Sequence, residues 1–213
     1  MLSLLPEWPV FSVFLLGALA VGMSPGPGMF YTIARSMGDG RAAGVVSVLG
    51  LATGSFLNCL AGALGLAALL AVSELAYDAV RYAGAAYLLY LAVRMVRQGG
   101  DFVVDRRTTR DSNRRIYSQA VITNVVNPKS ALFYLSFLPQ FIDPERGSVL
   151  AQFILLGLIF NIWGNSINLA VGLGFGQIGE WLGRHPGFWR GQRWFSAAVL
   201  AGLAIHLALA SRR

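Results

Sequence analysis

Six apolar runs constrain this chain more than any other feature. They cover residues 10–34, 42–72, 79–96, 116–142, 148–175 and 194–210. Each is long enough to cross a bilayer, where a backbone must close its hydrogen bonds within its own segment and so becomes helix. The expected fold is an all-α integral membrane protein, one domain over residues 1–213. Composition agrees. Mean hydropathy is +0.58, and 13% of residues are charged, against about 25% in an ordinary soluble domain. The formal charge of +7 does not indicate nucleic acid, because the basic residues fall between the apolar runs and read as orientation signals. Residues 1–9 contain no Lys or Arg, so the first run lacks the basic start of a signal peptide and is expected to stay as a span.

Two of the runs are interrupted. The fourth contains Asn127-Pro128-Lys129. A proline inside a helix costs about 3 kcal/mol, and a lysine at bilayer depth costs about 3 kcal/mol more. The plain reading is a kink with Lys129 reaching for the interface. The functional reading is a broken helix whose new N-terminus, with Lys129, holds an anion. The first run contains Ser24-Pro25-Gly26-Pro27-Gly28, which cannot continue as regular helix. One helix is expected to end near Ser24 and another to start near Pro27, where proline suits the first turn.

The two breaks correspond. A shift of 103 residues lays Pro25 on Pro128, Phe30-Tyr31 on Phe133-Tyr134, Gly54 on Gly157 and Asn58 on Asn161. A shift of 112 then lays Arg81 on Arg193. The halves are residues 10–96 and 116–210, joined by a polar loop at 97–115. Three runs per half is an odd number, so the second half enters the membrane from the opposite side. The expected architecture is six transmembrane helices as two inverted three-helix repeats, with helices one and four broken. Secondary transporters are built this way and bind near the midplane at their broken helices. Twelve arginines follow the first, third and fifth runs, and four lie on the other side. The arginine-rich 97–115 loop is therefore expected in the cytoplasm, with both termini outside.

These residues define a candidate substrate site: Pro25, Gly26, Pro27, Gly28, Asn127, Pro128 and Lys129 at the breaks, with Asn58 and Asn161 on the neighbouring spans. Helix N-termini and a lysine suit a carboxylate. The asparagine amides can serve an ammonium or hydroxyl, or simply bond between helices. Tyr31 and Tyr134 suit gating or packing. All ten acidic residues lie outside the apolar runs, so a cationic guest would find no buried carboxylate. A zwitterionic amino acid fits. The single cysteine, Cys59, is expected to pack as a small hydrophobe. No metal site, cofactor or nucleotide motif is expected, and neither an HExxH pair nor an intramembrane aspartate pair supports an enzyme.

Ser24-Pro25-Gly26-Pro27, the Gly84–Leu91 run, Asn127-Pro128-Lys129-Ser130-Ala131-Leu132-Phe133 and Phe137-Leu138-Pro139-Gln140-Phe141 closely resemble the LysE/RhtB family of amino-acid exporters. The resemblance implies a bacterial inner-membrane carrier, exporting amino acids by alternating access, driven by the proton gradient, and forming a homodimer or other homo-oligomer. Some members of that family carry histidine near Asn58 and an acid near Asn161. Asparagine at both positions leans against the basic-amino-acid branch and towards a neutral amino acid or derivative. The alternatives are export of another small anion or metal ion, and a structural membrane subunit without transport.

Overall fold

The computed structural model describes residues 4–23, 26–72, 74–97, 111–184 and 186–209. The described residues are helical throughout, apart from short connections. α1 (Trp8–Met23) leads across the first break to α2 (Pro27–Gly38), inclined to it by 48°. Gly26 caps α2 in extended backbone, and Pro27 fills its first turn. Asp39 ends α2, and Gly40, at φ 95°, takes the left-handed turn that glycine adopts without steric cost. α3 (Arg41–Val72) and α4 (Glu74–Arg97) follow. Residues 74–78, between the second and third apolar runs, are helix.

α5 (Asn113–Val125) starts at Ser112, whose Oγ accepts from the Arg115 amide at 3.4 Å. The second break falls at Val126–Asn127, and α6 (Pro128–Leu132) begins with proline in its first turn. α6 runs on into a π-helical turn, Phe133–Phe137, and a 3-10 turn, Leu138–Phe141. Pro139 accounts for this distortion. It offers no N–H, and its ring excludes the Leu135 carbonyl from the α-helical position. Gln140 compensates by donating from Nε2 to the Ser136 and Phe137 carbonyls, at 2.9 and 3.1 Å. In the loop beyond, Gln152 pins Asp143 by accepting from its amide at 3.0 Å and donating to its carbonyl at 2.8 Å.

α7 (Val149–Arg184) and α8 (Pro186–Leu209) complete the chain. The connection expected at 176–193 is instead mostly helix. Its glycines each cost only about 1 kcal/mol in a helix, and the first proline after 175 is Pro186, which opens α8. Among the described residues, α3 and α7 each hold a stretch long and apolar enough to span a membrane, and the bent α1–α2 pair makes a third.

The principal packed pairs are α3 with α5, α4 with α8, and α3 with α7. Gly50 and Gly54 explain the first. A Cβ at Gly50 would lie 2.5 Å from the Tyr117 carbonyl, and one at Gly54 would lie 2.6 Å from that of Val121. The small-residue spacing lets the backbones touch. Cys59 is fully buried against Gly157, as a small apolar side chain. The main core joins Phe14, Phe133, Phe137, Phe153, Leu156 and Leu200. Leu16, Leu64, Ile162 and Ile205 point outward, each more than half exposed. Apolar side chains on the outside as well as the inside suit a solvent of lipid.

Candidate functional site

The two breaks meet. A cavity of about 60 Å³ is lined by Gly26 and Gly28 from the first break and by Asn127, Lys129 and Ser130 from the second. Val21 and Gly22 of α1, Ser55 of α3, Asn124 of α5, and Phe160, Asn161, Asn165 and Asn168 of α7 complete much of the wall. Among the described residues the lining contains one lysine and no acidic residue. The space is well below the ~300 Å³ of an ordinary ligand pocket.

Asn127 is the N-cap of α6 and accepts the Lys129 amide on its Oδ1 at 3.0 Å. The Lys129 ammonium donates to the Val21 carbonyl at 3.1 Å. Val21 lies in the last turn of α1, whose carbonyls lack intrahelical partners and form the negative end of the dipole. Lys129 therefore ties the second break to the end of the helix before the first. α2 differs from α6: no side chain caps it, and the first amides of a helix have no intrahelical acceptor.

The expected site residues divide. Gly26, Gly28, Asn127, Lys129 and Asn161 line the cavity. Pro27 and Pro128 start the helices beside it, and Pro25 lies outside the described residues. Asn58 is off the wall. Its Nδ2 donates to the Asn124 carbonyl at 2.9 Å, near the end of α5. Asn161 donates to the Ala52 carbonyl of α3 at 3.0 Å, and its Oδ1 accepts from Asn165 Nδ2 at 2.6 Å. Tyr134 is buried, 2.8 Å from Ser55 Oγ.

Tyr31 belongs to a polar cluster some distance from the cavity. Its hydroxyl donates to the Ile116 carbonyl at 2.9 Å, and the Arg35 guanidinium sits 5.3 Å from its ring centre. Arg35 pairs with Asp39 at 3.0 Å and with Asp111 at 2.7 Å, and donates to Gln119 Oε1 at 2.6 Å. The three charged side chains are 7–10% exposed. At 1.5 Å rise per residue, Arg35 and Gln119 each lie about 12 Å along their helices from the breaks. Phe14 lies about as far along α1 in the opposite direction, and Phe137 about as far along the π-helical turn that continues α6. There the contact is aromatic. Phe160 on the cavity wall stacks on Phe133 at 3.7 Å, and Phe133, Phe137, Phe141 and Phe14 continue the row. The cavity thus lies between a charged clasp and an aromatic one.

Ser55, Asn124, Ser130, Asn165 and Asn168 line the wall without standing among the expected site residues, the last two reading in the sequence as structural asparagines. Asn165 and Asn168 stand one helical turn apart from Asn161 or from each other, which was the available signal. Among the described residues no group of three His, Cys, Asp or Glu side chains gathers to hold a metal.

The chain is similar to proteins of related description. It is 34% identical over 152 residues to the homoserine/homoserine lactone efflux protein of Salmonella typhimurium, covering 71% of this chain and 72% of that one. It is 29% identical over 157 residues to the leucine efflux protein of Salmonella choleraesuis, covering 70% and 71%. An uncharacterized membrane protein of Pseudomonas aeruginosa is 28% identical over 207 residues, 94% and 95% of the two chains. No solved structure matches significantly. The LysE type translocator profile matches residues 19–211, nearly the full length, and the chain accordingly belongs to the LysE type translocator family and is a transporter rather than an enzyme.

Proposed function

We propose that the protein exports a neutral amino acid or a close derivative across the bacterial inner membrane, by alternating access and at the expense of the proton gradient. The observation that carries this reading is the cavity where both helix breaks converge, with one lysine and no carboxylate among the described residues of its wall. Lys129 and the uncapped start of α2 at Gly26 and Gly28 would hold the substrate carboxylate. The absence of an acidic wall residue disfavours metal ions and basic amino acids. Efflux proteins for homoserine and leucine among the relatives agree with a neutral substrate.

The chain would be one domain of two inverted halves. The packing supports this reading: α3 packs on α5 while α7 packs on α1, and α4 pairs with α8 as α3 pairs with α7. The Arg35 clasp would close the cytoplasmic mouth and the aromatic row the outer one. α2 and α5 come from different halves, so opening the inner mouth would separate the halves at Arg35 and Asp111. Purified protein in proteoliposomes preloaded with labelled L-homoserine or L-leucine tests the reading. Efflux should exceed empty liposomes and quicken with an imposed proton gradient. Absence of efflux for a panel of neutral amino acids would refute it.

A further inference from the structure

Two amide oxygens on the cavity-lining residues are left over. Asn124 Oδ1 and Asn165 Oδ1 are buried without a hydrogen-bond partner, and both residues line the cavity. Buried acceptors are normally satisfied, and leaving one unmade costs free energy. The orientation of Asn165 follows from its neighbours. Its Nδ2 donates to the Asn161 carbonyl at 2.8 Å and to Asn161 Oδ1, while Asn161 Nδ2 is engaged by Ala52. That chain of bonds turns the Asn165 oxygen away from Asn161. The Asn124 backbone carbonyl is already taken by Asn58, so only its side chain remains to accept.

We infer that Asn124 and Asn165 form the ammonium subsite of the carrier and make it select α-amino acids over 2-hydroxy acids of the same side chain. The inference rests on the proposed reading of the cavity as the substrate site. An ammonium has three N–H donors and can serve both oxygens at once, while a hydroxyl has one donor and leaves an oxygen unmet. Neutral amide oxygens, unlike carboxylates, accept an ammonium without creating a site for bare cations. The two asparagines come from α5 and α7 and line one cavity.

The test uses matched pairs in proteoliposomes: L-leucine against 2-hydroxy-4-methylpentanoate, and L-homoserine against 2,4-dihydroxybutyrate. The wild-type carrier should prefer the amino acid by at least about tenfold in kcat/KM. Asn124→Leu should lower amino-acid export about tenfold and leave hydroxy-acid export within about twofold, so that the preference collapses. A purely structural asparagine would lower both alike, and that result overturns the inference. Asn124→Asp keeps the acceptor and nearly the same shape, so it should keep the preference even where Asn124→Leu fails to fold. Loss of the preference in Asn124→Asp also overturns it. A wild-type carrier that moves amino and hydroxy acids equally overturns the subsite alone, and one that moves neither overturns the substrate-site reading with it.

Discussion

Replacing Arg35 by methionine should unlatch one mouth of the carrier. The side chain holds Asp111 at 2.7 Å and Asp39 at 3.0 Å, and donates to Gln119 at 2.6 Å. Methionine keeps much of the length and removes all three. Breaking a buried ion pair by removing one partner costs about 3–5 kcal/mol. Asp111 keeps Arg115, at 3.1 Å, so the low end, about 3 kcal/mol, is appropriate. If the clasp exists only while that mouth is closed, the loss falls on the closed form. The open population then rises about 150-fold, at 1.4 kcal/mol per factor of ten. Ser55 on the cavity wall serves as a reporter when changed to cysteine in a Cys59→Ala background. A membrane-impermeant maleimide applied to inside-out vesicles should label it on the order of 100-fold faster with Arg35→Met than without. Labelling from the opposite face should not accelerate. An unchanged rate in a folded, monodisperse protein would show that the cluster braces the structure and gates nothing.

Other perturbations probe the scaffold. Gly54→Leu inserts a side chain where even a Cβ would fall 2.6 Å from the Val121 carbonyl. It should part α3 from α5 and cost about 3 kcal/mol, read as a fall in detergent melting temperature. Gln140→Leu leaves the Ser136 and Phe137 carbonyls without the side-chain donor they now have. It should destabilise by about 1–3 kcal/mol in the same melting assay, whereas Gln140→Glu, which cannot donate when ionised, should be no better.

The helix breaks were legible because proline and glycine act locally. Pro27 and Pro128 each set a helix start wherever the rest of the chain goes. The close approach at Gly50 and Gly54 was legible in their four-residue spacing. The cavity wall was not. Periodicity reports which face of a helix is buried when the other face meets water, but α7 is apolar nearly all round, with Ile162 68% exposed one residue beyond buried Asn161. The one-turn spacing of Asn165 from Asn161 is the only sequence mark on it, and an ordinary interhelical asparagine can carry the same spacing. Asn58 shows the reverse case. Its partner is a backbone carbonyl near the end of α5, and a carbonyl has no residue type to betray it. Arg35 read as a loop charge because it follows an apolar run. Its burial depends on Asp111, 76 positions away and on another helix approach, and only folding joins them.

If the cavity at the two breaks holds the substrate carboxylate, Lys129 is the side chain that must bind it. Export of L-leucine and of its carboxamide, which lacks the negative charge, should be compared in wild-type protein, Lys129→Ala and Lys129→Arg. A charge-assisted hydrogen bond is worth about 1.5–3 kcal/mol, so Lys129→Ala should raise the KM for leucine about 10- to 150-fold. The carboxamide should be little affected, and Lys129→Arg should recover part of the loss. A folded Lys129→Ala carrier that exports leucine with unchanged KM would contradict the account, and would leave Lys129 as the tie between α6 and the Val21 carbonyl.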